Sequence, residues 1–166
     1  LVLALLGGGI YFIEKQIVTE AERVEAAIYG VTDAFQDRDV ERTVSYFSDN
    51  AALPDDRLPP FLRFVARNVS LRTVVAGAVS TIQVEDDLRI TDVSVETSNN
   101  DSLAKSHFRA NGSFIVPGAG NVGHQPTRWE FRWRQEAGEW RIIDVQRLDP
   151  INGEPMGVFE RSASSR

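Results

Sequence analysis

The chain has 166 residues, enough for one ordinary domain, and its 42% hydrophobic and 25% charged residues exclude wholesale disorder. Its 24 acidic and 18 basic side chains give a net charge of −6, the wrong sign for a protein that wraps nucleic-acid phosphates. There is no cysteine and there are two histidines, which removes disulfides, thiolate metal sites and cysteine nucleophiles and leaves little for a histidine-rich metal centre.

Residues Leu1–Ile13 (LVLALLGGGIYFI) carry no charge. As a helix they would span roughly 20 Å, short of the roughly 30 Å hydrocarbon core of a bilayer. The run is predicted to be the outer end of a transmembrane helix or uncleaved signal anchor. Tyr11 and Phe12 then lie near the interface, with Glu14 and Lys15 outside it. A buried core helix and the end of a signal peptide are alternative readings of the same run. The anchor reading divides the chain into a membrane segment (1–16), a folded domain (17–150) and a polar tail (151–166), and places the domain outside the cytoplasm.

No breaker separates Ile10 from Tyr29, so the anchor is expected to run straight into the first helix. There Ile17, Ala21, Val24, Ile28, Val31 and Phe35 recur at intervals of three and four, one apolar stripe. Asp39 is a predicted N-cap for a short second helix burying Val40, Val44 and Phe47. Pro54–Pro60 is a proline-rich loop. Ser70 is a predicted N-cap for a third helix carrying Leu71, Val74, Val75, Ala78, Val79 and Ile82.

After Asp87 the period changes to two. Strands are predicted at Leu88–Glu96 and Leu103–Val116, then through Trp129, Phe131 and Trp133, and finally through Trp140, Ile142 and Leu148. Ser98-Asn99-Asn100-Asp101 and Ala137-Gly138 are turns, Pro117–Pro126 a glycine-rich hairpin loop, and Asn152–Arg166 a mobile tail. Helices first and an antiparallel meander second imply an α+β domain, with the helices packed on one face of a curved sheet.

Three local motifs carry a resemblance. Arg38-Asp39-Val40 and Tyr46-Phe47-Ser48-Asp49 follow the first helix, and Glu139-Trp140-Arg141-Ile142 lies on the last strand. Between Val18 and Asp149 the chain resembles the nuclear-transport-factor-2-like superfamily, which includes ketosteroid isomerase-type and polyketide cyclase-type enzymes. The resemblance implies a cone, three helices closing over a strongly bent antiparallel sheet with a pocket inside, and it implies dimerisation through the outer sheet face. Members of that family are enzymes, ligand binders, dimerising adaptors and membrane-anchored assembly proteins, so the fold alone does not choose.

Strict alternation along the last strand puts Asp144 and Gln146 on the same face as Trp140 and Ile142. With Trp129, Phe131 and Trp133 these residues would line the cone. A carboxylate there would have a raised pKa and could act as a base; the plainer reading pairs Asp144 with Arg132 or Arg134 at the cone mouth. Asp55 stands where isomerase-type relatives place a proton-abstracting aspartate, but Pro54-Asp55-Asp56-Arg57 reads as a solvated loop, and no recognisable set of oxyanion donors accompanies it. His107 is expected to point outward and His124 to lie in a loop, with no ligand spacing around either. No metal or cofactor is expected. Arg128, Arg132, Arg134, Arg141 and Arg147 form a basic stripe, read either as a solvated face balanced by Glu130 and Glu139 or as a surface for a protein partner or a second copy. The expected function is a membrane-anchored, non-catalytic interaction or assembly domain. The alternative is a pocket enzyme or binder for a small apolar ligand, with Asp144 as its polar centre.

Overall fold

The computed structural model describes residues 18–51, 69–98, 100–116 and 120–157. The Leu1–Ile13 run and Asp55 lie outside them. Among the described residues no helix is long and apolar enough to cross a membrane.

Helix α1 (Glu20–Gln36) starts from a cap and does not continue an upstream helix. Thr19 Oγ1 accepts from the Glu22 amide at 3.2 Å, and Glu22 Oε2 accepts from the Thr19 amide at 2.7 Å. This capping box satisfies two of the donors a helix start leaves open, and removing such a cap costs about 1 kcal/mol. The expectation of an unbroken helix from Ile10 is therefore corrected at Thr19. Val24, Ile28, Val31 and Ala34 make the buried stripe of α1. Helix α2 (Val40–Ser45) is capped by Asp39, whose side chain accepts from the Arg42 amide at 2.9 Å. Helix α3 (Leu71–Thr81) is capped by Ser70 and buries Leu71 and Val79. The absence of a side chain at Gly30 lets the Tyr46 ring lie against α1; a Cβ there would collide with it.

The strands are β1 (Gln83–Val84), β2 (Arg89–Ser98), β3 (Leu103–Val116), β4 (Gly120–Glu136), β5 (Glu139–Leu148) and β6 (Pro155–Met156). The pairings between these strands are antiparallel. The path runs β1-β3-β4-β5-β6, and β2 also pairs with β3. The free edge of β5 is covered by Tyr46–Ser48: the Ile142 amide donates to the Tyr46 carbonyl at 2.8 Å, and the Ser48 amide donates to the Ile142 carbonyl at 2.9 Å. The core gathers α1 against the inner face of the sheet, with Val24, Ile28, Trp133 and Ile142 fully buried.

Two expectations about loops are corrected. Most of the glycine-rich segment is strand, because Gly120–Gln125 pairs with Gly112–Val116 across a register shift. Gly120 and Gly123 sit at φ +72° and +67°, conformations that let the strand kink without ending it. The start of the predicted mobile tail also returns to the sheet, with Pro155 and Met156 opposite Leu148 and Arg147.

Candidate functional site

The decisive local feature is a bulge in β5. Trp133 lies opposite Ile142, but Arg132 lies opposite Asp144, so Ile143 is an extra residue without a cross-strand partner. One inserted residue reverses the facing of everything after it. Val145 and Arg147 lie opposite Phe131 and Trp129 on the inner face; Asp144 and Gln146 lie opposite Arg132 and Glu130 on the outer one.

This corrects the predicted pocket. Trp133, Phe131, Trp140 and Ile142 are buried among the core, and Trp129 is half-buried beside them. Phe108 meets Phe131 edge-on at 4.9 Å, and the three indole N–H groups are all used. Trp133 Nε1 donates to Ser106 Oγ at 2.9 Å, Trp129 Nε1 to Thr127 Oγ1 at 2.9 Å, and Trp140 Nε1 to Glu20 Oε2 at 2.8 Å. Asp144 and Gln146 do not join them. Gln146 is buried on the other face, donating to the Arg147 and Met156 carbonyls. Asp144 faces Arg132, with Oδ2 3.9 Å from its Nε, so the plainer expectation of an arginine neighbour describes the geometry. The register places Asp144 on the face opposite the buried aromatic residues. Arg147, expected in the outer basic stripe, is on the inner face for the same reason.

The outer face is polar and charged. Glu130 is its hub. His107 Nε2 lies 3.0 Å and Lys105 Nζ 4.0 Å from Glu130 Oε2, and Arg132 Nε donates to Oε1 at 3.3 Å. Burial alone would raise the Glu130 pKa, but the His107 hydrogen bond, the Lys105 charge and the Arg132 hydrogen bond outweigh it and hold the carboxyl below its ordinary value of 4.5. Arg134, aided by Ser48, likewise holds Glu136 down: Arg134 Nε and Ser48 Oγ both donate to Glu136 Oε1, at 3.0 and 2.8 Å. Arg141 lies directly opposite Arg134, and Arg128 opposite Arg109. The aromatic and arginine residues of β4 therefore occupy opposite faces, and the outer surface is arginine-rich without being aromatic.

A depressed carboxylate pKa contributes stability above the ordinary pKa and loses it as pH falls toward the folded value. Urea unfolding followed from pH 7 to pH 3 is expected to show stability falling below about pH 4.5. Glu130→Gln should be less stable than the parent at pH 7, and its acid loss should be shallower. Parallel pH profiles for the two proteins would contradict the hub role.

Among the described residues no group of three histidine, cysteine, aspartate or glutamate side chains is placed to hold a metal ion. His107 is engaged by Glu130 on the outer face, and His124 is exposed on β4 opposite Ser113. Sequence alternation did not single out Glu20, yet it is the carboxylate that reaches Trp140 and Arg23 from the start of α1. Only the three-dimensional return of β5 to that helix end reveals it.

The sequence matches no family model and no curated protein. Solved structures do match it. An NTF2-like protein from Cytophaga hutchinsonii superposes with a TM-score of 0.56 at 13% identity, covering 81% of this chain and 95% of that one. An NTF2-like protein of unknown function in nutrient uptake from Rhodospirillum rubrum gives 0.56 at 12% identity over 74% and 93%. The chain has the NTF2-like fold. The association domain of C. elegans CaMKII shares it at a TM-score of 0.50 and 11% identity, over 75% and 91%. The fold assigns no chemistry to the inner face.

Proposed function

We propose that this chain is a non-catalytic assembly domain that pairs through the outer face of its sheet, with a second copy as its first partner. The observation that supports it most is the separation of faces: the aromatic residues of β4 and β5 lie in or against the core, while Asp144, Glu130, Arg132, Arg134 and Arg141 gather outside. That face alternates Arg132, Arg134 and Arg141 with Glu130, Asp144 and Glu136. A two-fold interface needs such a self-complementary mixture, in which the cation of one copy meets the anion of the other. The shared fold with an association domain is consistent with this role.

The test is the oligomeric state. Sedimentation of the chain is expected to show a dimer that weakens with salt, and Arg132→Glu with Arg134→Glu should leave a folded monomer. A monomer at every attainable concentration, or a dimer indifferent to the double reversal, would count against it.

The same proposal holds the domain at a membrane, outside the cytoplasm, through residues 1–13; the support is the charge-free sequence LVLALLGGGIYFI. Expressed in cells, the chain should remain in alkali-washed membranes, and removal of those residues should release it. Release of the intact chain by the wash would defeat this part of the reading.

A further inference from the structure

A second irregularity shapes the outer face. In β2, Thr91 pairs with Arg109 and Ser94 with His107, so Asp92 and Val93 together oppose Phe108. Asp92 sits at φ 54°, in the left-handed region that an aspartate tolerates better than most residues. The bulge opens a notch of about 170 Å³ lined by Asp92, Ser94, His107, Phe108, Arg109 and Arg128.

The charges of the notch do not balance. Arg109 and Arg128 are directly opposed on neighbouring strands, an arrangement that costs stability unless an anion intervenes. Asp92 serves Arg109, with Oδ2 3.0 Å from Nε. No carboxylate among the described residues makes an ion pair with Arg128. Its guanidinium lies against Gly153, where an added Cβ would come within 3.0 Å of Nη1 and where φ is +74°. The guanidinium is thus seated by a turn that favours glycine at that point. His107 has Nε2 committed to Glu130, and Ser94 adds a hydroxyl to the lining. Two guanidinium groups and one carboxylate leave one positive charge.

We propose that this notch binds a carboxylate group, anchored by Arg128 and flanked by Arg109 and Ser94. One net positive charge suits a monoanion, and a guanidinium fork matches the two oxygens of a carboxylate. The volume admits the group with a short stem. The inference stands whether or not the rest of the outer face forms a dimer.

The test uses the whole chain in a zwitterionic detergent, titrated with sodium acetate and, separately, with sodium chloride at the same ionic strength. Amide NMR signals of Ser94, His107, Phe108 and Arg109 are expected to shift saturably with acetate alone. Arg128→Gln should weaken that binding by about tenfold or more, the scale of a charge-assisted pair. Arg128→Lys, which keeps the charge and loses the fork, should fall between; Arg42→Gln, on α2 beside Asp37 and away from the sheet, should bind as the parent does. A dispersed spectrum checks that each variant is folded. A peptide of alternating glutamate and glycine that binds tighter than acetate would assign the carboxylate to a polypeptide, and acetate binding alone would assign it to a free acid. Shifts that are equal in chloride, that fail to saturate, or that persist undiminished in folded Arg128→Gln would overturn the proposal, as would inorganic phosphate binding tighter than either carboxylate.

Discussion

Trp133→Ala is expected to lower the free energy of unfolding by about 3–5 kcal/mol. Trp133 is completely buried, sits between Ala104 and Ile142 in the sheet, and meets the Phe131 ring at 6.0 Å. Truncation leaves a cavity roughly the size of the indole under α1. It also removes the donor that reaches Ser106 Oγ, a hydroxyl with no solvent exposure. Trp133→Phe separates the two contributions: most of the apolar area stays, but the Ser106 hydroxyl loses its partner, a loss of about 1–3 kcal/mol. Urea unfolding of the two variants checks both values. Because domains of this size are stable by about 5–15 kcal/mol, the alanine variant should be marginal at physiological temperature. A loss under about 1 kcal/mol for Trp133→Ala would mean that the inner face is an open cavity and not a packed core.

Deleting Ile143 and Asp144 together should do more damage than deleting Ile143 alone. Removing only the extra residue leaves Asp144 next to Ile142 and still opposite Arg132, so the facing of β5 is kept and the cost should be about 1 kcal/mol, like that of Ile143→Gly. Removing both residues takes out one ladder position: Val145 turns to the outer face and Gln146 turns toward Phe131. The buried Gln146 amide then leaves the Arg147 and Met156 carbonyls for an apolar face, and with the lost Val145 contacts the cost should reach about 3 kcal/mol or more. Circular dichroism and thermal melts distinguish the variants. A single deletion that unfolds the domain, or a double deletion as stable as the single one, would show that Ile143 is not an extra residue of the ladder.

The contrast between these two residues marks what is readable in the chain. The stripe of α1, the Asp39 and Ser70 caps and the β3 strand are local patterns, and local patterns survive folding because each is set by neighbours within a turn or a pleat. The inward facing of Trp133 and Ile142 follows from the same alternation. Asp144 fails because alternation is valid only while pairing stays in register, and no residue type announces the bulge at Ile143. Asp92 is a similar case in β2. The start of α1 was accessible: Thr19-Glu20-Ala21-Glu22 spells a capping box, but the continuous apolar run upstream argued for a longer helix. Gly120 and Gly123 argued for a loop, yet positive φ at a bulge calls for glycine as much as a turn does. The pairing of Glu20 with Trp140 joins residues 120 positions apart, which only the closed fold brings together.

Sedimentation of the chain, alone and with Arg132→Glu and Arg134→Glu together, tests the assembly role most directly. The account predicts a salt-sensitive dimer for the parent and a folded monomer for the double variant. A parent that stays monomeric, or a double variant that dimerises as before, would contradict it.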